Sequence, residues 1–67
     1  MTIEETYVKQ IEDGIRGIRL GKHPKDTNAP IALNKLKNIN QGLYDDLLEK
    51  YKNVMKEFKK QHPDETN

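Results

Sequence analysis

The 67 residues carry 33% apolar and 34% charged side chains with a formal net charge of +1, enough for one small domain and too little core for a large enzyme. No cysteine is present, which excludes a disulfide framework, a thiolate zinc site and a cysteine nucleophile. Apolar runs are short, as at Leu47-Leu48, so no membrane span or secretion signal can be written, and a soluble, cytoplasmic protein is expected.

The first segment follows Thr2. The string Thr2-Ile3-Glu4-Glu5 has the spacing of a capping box, in which the Thr hydroxyl accepts a backbone N–H that the first helical turn leaves unpaired. Advancing about 100° per residue, Ile3, Tyr7, Val8, Ile11, Ile15 and Ile18 fall in one stripe, with Leu20 off it. Gly21 terminates the helix and Pro24 lies beyond, so residues 3–20 are read as the first helix. Residues 21–29 combine Gly, Pro, Asp, Thr and Asn and read as a loop.

Pro30 suits a first helical position because its missing N–H would be unpaired there anyway. Ile31, Ala32, Leu33, Leu36 and Ile39 then spread over about 200° of a short helix, residues 30–39, and such breadth implies contact on two sides. The turn-prone string Asn38-Ile39-Asn40-Gln41-Gly42 separates it from the third helix, residues 43–60. There Leu43, Tyr44, Leu47, Leu48, Tyr51, Val54, Met55 and Phe58 lie within an arc of about 140°, and every other residue from Asp45 to Lys60 is polar. Asp45, Asp46 and Glu49 open that helix and Lys56, Lys59 and Lys60 close it, matching the macrodipole at both ends. Residues 62–67 hold nothing apolar and read as a disordered tail to a single domain of residues 1–61.

No segment alternates apolar and polar residues for long, so the expected fold is all-α: a three-helix up-down-up bundle, its small core favouring oligomerisation. The ten Lys against two Arg, with six Asn and six Ile, fit the codon bias of an AT-rich bacterial or phage reading frame. Charge is unevenly spread. Residues 1–15 sum to −3 (Glu4, Glu5, Glu12, Asp13 against Lys9), and residues 16–37 to +5 (Arg16, Arg19, Lys22, Lys25, Lys35, Lys37 against Asp26). In an up-down-up bundle the ends of the first and third helices meet, gathering Arg16, Arg19, Lys22, Lys25, Lys56, Lys59 and Lys60 at a basic pole.

That pole is one candidate site, for an anionic ligand such as a nucleotide or nucleic-acid backbone; dipole compensation and solubility account for the same cations. Sequence-specific DNA reading is disfavoured, because the third helix opens with acids where a recognition helix presents donors to bases. The second candidate is a partner interface along Tyr44, Leu48, Tyr51, Met55 and Phe58, spaced 4-3-4-3, whose alternative is packing inside the monomer.

Catalytic sets are not assembled. Adjacent acids such as Asp45-Asp46 point about 100° apart on a helix, and His23 and His62 lack metal-ligand spacing. Gly14-Ile15-Arg16-Gly17 lacks the sheet of a KH domain, and the Gly17 to Lys22 string is one residue short of a phosphate-binding loop. Gly14 sits at the edge of the apolar stripe, where close approach of a neighbouring helix or a second subunit explains it best. The reading is therefore a non-enzymatic helical protein, without cofactor or metal, that self-associates or docks on a larger protein as a regulator, inhibitor or adaptor.

Overall fold

The computed structural model describes residues 2–61, which form helix α1 (Ile3–Arg19), a single 3-10 turn (Pro24–Asp26), helix α2 (Ala29–Lys37) and helix α3 (Gln41–Gln61). There is no strand among them. Each boundary has a local cause. Thr2 Oγ1 accepts the Glu5 N–H at 3.2 Å and starts α1. At the other end Gly21 takes φ +105°, letting its own N–H reach the Ile18 carbonyl (3.0 Å) and the Lys22 N–H reach that of Gly17 (2.9 Å). This paired closure is the Schellman arrangement, and it needs a left-handed residue at the position that glycine holds. Leu20, expected as the last helical residue, is instead the C-cap and is 83% exposed.

The expected loop contains a turn that composition did not indicate. His23 Nδ1 accepts the Lys25 N–H at 3.1 Å, and the buried Thr27 hydroxyl donates to the Pro24 carbonyl at 2.9 Å while accepting the Ala29 N–H at 3.4 Å. The loop thus satisfies its own polar groups and leads into α2, with Pro30 in its first turn.

α2 stops at Lys37, two residues short of expectation, and α3 begins two residues early. The cause is Asn40: its Oδ1 accepts the Leu43 N–H at 3.2 Å, so Gln41 and Gly42 become the first turn of α3 and the break shrinks to residues 38–40. Ile39 is left outside both helices and exposed.

Four contacts define the topology. Asn40 Nδ2 donates to Glu4 Oε2 at 3.2 Å, placing the starts of α1 and α3 at one end. The His23 ring, just past α1, meets the Phe58 ring edge-on with centroids 5.4 Å apart, so the two helices also finish together. α2 runs the other way: Ala29 at its start lies against Gly14, and Lys35 near its end lies over the Tyr7 ring. The bundle is up-down-up, with α2 packed against both long helices.

Its core is made by Ile11, Ile15 and Ile18 of α1, Ala32, Leu33 and Leu36 of α2, and Leu47, Val54 and Phe58 of α3. The breadth of the α2 apolar set is real only in part. Ala29, Ala32, Leu33 and Leu36 are buried between the long helices, whereas Ile31 points away from both and is 59% exposed. Gly14 lets α2 approach α1 closely, since a Cβ built on it would lie 2.7 Å from the Ala29 Cβ. Close approach of a neighbouring helix within the chain accounts for this glycine. The expected tail, residues 62–67, lies outside the described residues.

Candidate functional site

The apolar arc of α3 divides into a buried centre and two edges. Leu47, Val54 and Phe58 form the centre and are buried. Leu43 is on one edge, where it meets the outer flank of α1 across an open furrow of about 800 Å³, lined also by Val8, Lys9, Glu12 and Arg16. Tyr44, Leu48, Tyr51 and Met55 follow the other edge, all half-buried against the core. That edge faces α2, because Lys37 Nζ of α2 lies 5.9 Å above the Tyr44 ring. Of the five residues read as an interface row, Phe58 thus serves the core at 3% exposure, while the remaining four line an accessible strip.

The strip is half-covered for a geometric reason. Advancing about 100° per residue from Leu43, the buried Val54, Leu47 and Phe58 fall at roughly 20–60° round α3 and Tyr51, Tyr44, Met55 and Leu48 at roughly 80–140°, so the strip lies past the line that enters the core and α2 meets it from one side. Partial burial also acts on chemistry: desolvation raises the Tyr51 phenol above its ordinary value of 10.0.

The seven cations lie as the topology dictates. Arg16 and Arg19 near the end of α1, Lys56, Lys59 and Lys60 near the end of α3, and Lys22 and Lys25 in the intervening loop are all exposed at one end of the bundle. Arg19 borders a depression of about 160 Å³ with Ile18, Val54, Glu57, Phe58 and Gln61, and Arg16 and Arg19 together border another of about 330 Å³ with Lys50, Ile15 and Glu12, so a carboxylate stands beside the guanidinium groups in both. Asp26 is a further acid in the same region. Toward the opposite end lie Glu4 and Glu5 in the first turn of α1 and Asp45, Asp46 and Glu49 of α3, which the start at Gln41 places beyond the first turn they were expected to open, with Lys35 and Lys37 held over Tyr7 and Tyr44.

His23 has a structural occupation, with Nδ1 capping the 3-10 turn and the ring edge packed on Phe58; His62 lies outside the described residues. Among the described residues no group of three or more His, Cys, Asp or Glu is placed to hold a metal ion, and no helix is long and apolar enough to cross a membrane. Two features escaped the sequence reading: the Asn40–Glu4 link and the Lys roofs over Tyr7 and Tyr44. Asn40 carried a signal, since Asn three residues before an apolar position is a cap pattern as well as a turn pattern; the Lys–Tyr pairs join separate helices and leave no mark along the chain.

No family model matches the chain, and comparison with curated proteins and with solved structures returns no match either.

Proposed function

We propose that this protein acts by binding another polypeptide along the α2-facing edge of α3, as a regulator, inhibitor or adaptor without a reaction of its own. The observation that carries this reading is the strip of Tyr44, Leu48, Tyr51 and Met55, largely apolar and half-buried along its whole length at the edge of the core. Its composition suits docking. Tyrosine combines a large apolar ring with a hydroxyl that stays wet, and methionine adapts its unbranched chain to an incoming surface.

A photo-crosslinking residue at position 48 or 55, introduced in cells that make the protein, tests the reading. Covalent adducts to a protein are expected from both positions and not from position 34 on the exposed outer flank of α2. Adduct yields at 48 and 55 no higher than at 34 would refute it.

A second reading, capture of a phosphate-bearing ligand at the basic pole, is favoured by the seven cations that the parallel α1 and α3 gather there. Binding of a labelled oligonucleotide should then fall steeply from about 20 to about 200 mM salt and weaken further in Arg16→Ala and Arg19→Ala. No binding at the lower salt removes this reading.

A further inference from the structure

We infer that the strip on α3 is self-complementary and takes a second copy of this chain, with the two α3 helices antiparallel. The inference rests on the reading of that strip as a docking surface and names its occupant. The argument is charge placement. Beside the apolar strip, on its solvent side, the exposed residues of α3 form two columns at seven-residue spacing: Asp45, Lys52 and Lys59 in one, Glu49 and Lys56 in the other. Both columns are acidic toward the start of the helix and basic toward its end.

Antiparallel pairing about an axis near Lys52 sets Asp45 opposite Lys59 of the second copy and Glu49 opposite Lys56, twice over by symmetry. The same register brings Leu48 close to Met55 of the second copy and Tyr51 close to its own copy near the axis, and leaves Tyr44 beside the last turn of the opposite α3. Parallel pairing would set Asp45 on Asp45 and Lys59 on Lys59. Lys52 meets its own copy at the axis in the favoured arrangement, and it is exposed and long enough to turn its ammonium into water.

The charge of the whole bundle points the same way. Glu4, Glu5, Asp45, Asp46 and Glu49 lie at one end and the seven cations at the other, so an antiparallel pair lays each basic end beside an acidic one. A standard interface takes about 800 Å² from each partner, roughly one-sixth of the 4853 Å² surface of this chain.

The natural chain has no cysteine, so single cysteines report orientation cleanly. In the antiparallel pair the two copies of position 45 are about 21 Å apart along the helix axis, whereas position 45 neighbours position 59 of the second copy. We expect the mass by sedimentation at low salt to rise from 7.8 kDa toward twice that value between about 5 and about 500 μM. A short bis-maleimide should join Asp45→Cys to Lys59→Cys when the two variants are mixed, and join Asp45→Cys to itself at least tenfold less. Both positions are exposed, and unchanged helical circular dichroism verifies that each variant folds. A mass fixed at that of the monomer up to 500 μM overturns the inference, as does a dimer in which Asp45→Cys joins itself as readily as it joins Lys59→Cys. Neither result touches the docking reading when positions 48 and 55 still crosslink to a different protein. Loss of those adducts as well removes both.

Discussion

Replacing Gly14 by alanine sets two effects of comparable size against each other, and the geometry determines which prevails. In an isolated helix the change is favourable by about 1 kcal/mol, because alanine surrenders less backbone freedom than glycine. Here the new Cβ would lie 2.7 Å from the Ala29 Cβ and 3.3 Å from both the Ala29 nitrogen and the Thr27 Cβ. None of these atoms is the free end of a flexible chain, so the start of α2 must move away from α1. Overpacking costs about 1–3 kcal/mol, and a 2.7 Å contact, closer than Cβ atoms approach, belongs to the upper half of that range, about 2–3 kcal/mol. The cost therefore exceeds the gain, and Gly14→Ala should destabilise by about 1–2 kcal/mol, a loss of roughly 4–15 °C in Tm for a chain of this length.

Gly17→Ala on the same helix is the internal control. Its Cβ would meet Lys22 at 3.5 Å and Thr27 at 3.9 Å, ordinary contact distances, so it should be neutral or stabilising by up to about 1 kcal/mol. Thermal and urea unfolding followed by circular dichroism at 222 nm would measure both variants. Ala29→Gly in the Gly14→Ala background removes the colliding carbon, and the double-mutant cycle should show favourable coupling of at least about 1 kcal/mol. A Gly14→Ala protein as stable as the parent, or a cycle with no coupling, would refute the claim that glycine is there to let α2 approach.

Two further outcomes follow from particular contacts. Asn40→Ala deletes the cap of α3 and the hydrogen bond to Glu4 together, and should lower stability by about 1 kcal/mol in urea unfolding, whereas Asn40→Asp, which keeps the cap acceptor but faces the Glu4 carboxylate, should fall between alanine and the parent. Absorbance titration at 295 nm should show Tyr51 ionising above 10.0, a component that Tyr51→Phe should remove. Because folding raises this pKa, its stabilising contribution is complete below the unfolded value of 10.0 and is lost as pH climbs through the folded value. Tyr51→Phe should accordingly soften the alkaline fall in stability.

The polarised surface is a by-product of helix chemistry before it is anything else. Glu4 and Glu5 in the first turn of α1, and Arg16, Arg19, Lys59 and Lys60 in the last turns of α1 and α3, interact favourably with the local dipoles, whereas the early start at Gln41 leaves the first turn of α3 without the acids expected there; running α1 and α3 in the same direction adds the basic ends together. The antiparallel α2 offsets part of the acidic end with Lys35 and Lys37. A molecule of net charge +1 thereby carries opposed ends strong enough to orient an encounter.

What the chain alone determined is whatever depends on spacing within one helix. The stripe through Ile11, Ile15 and Ile18, the apolar arc of α3 as a whole, the Thr2 cap and the Gly21 stop are all set by neighbours within a turn or two, and each stands where periodicity placed it. Tertiary packing decided the remainder, because amphipathicity says that a face is apolar without saying which atoms will cover it. Phe58 and Met55 both belong to the apolar arc, about 60° apart, yet one packs on His23 inside the core and the other stays half-exposed beside α2. Ile31 and Leu33 stand two residues apart on one short helix, and only the placement of α2 between the long helices buried Leu33 and left Ile31 in water. The early start of α3 has the same origin: Asn40 can cap a helix or make a turn, and its bond to Glu4, 36 residues away, ties the capping conformation to the start of α1.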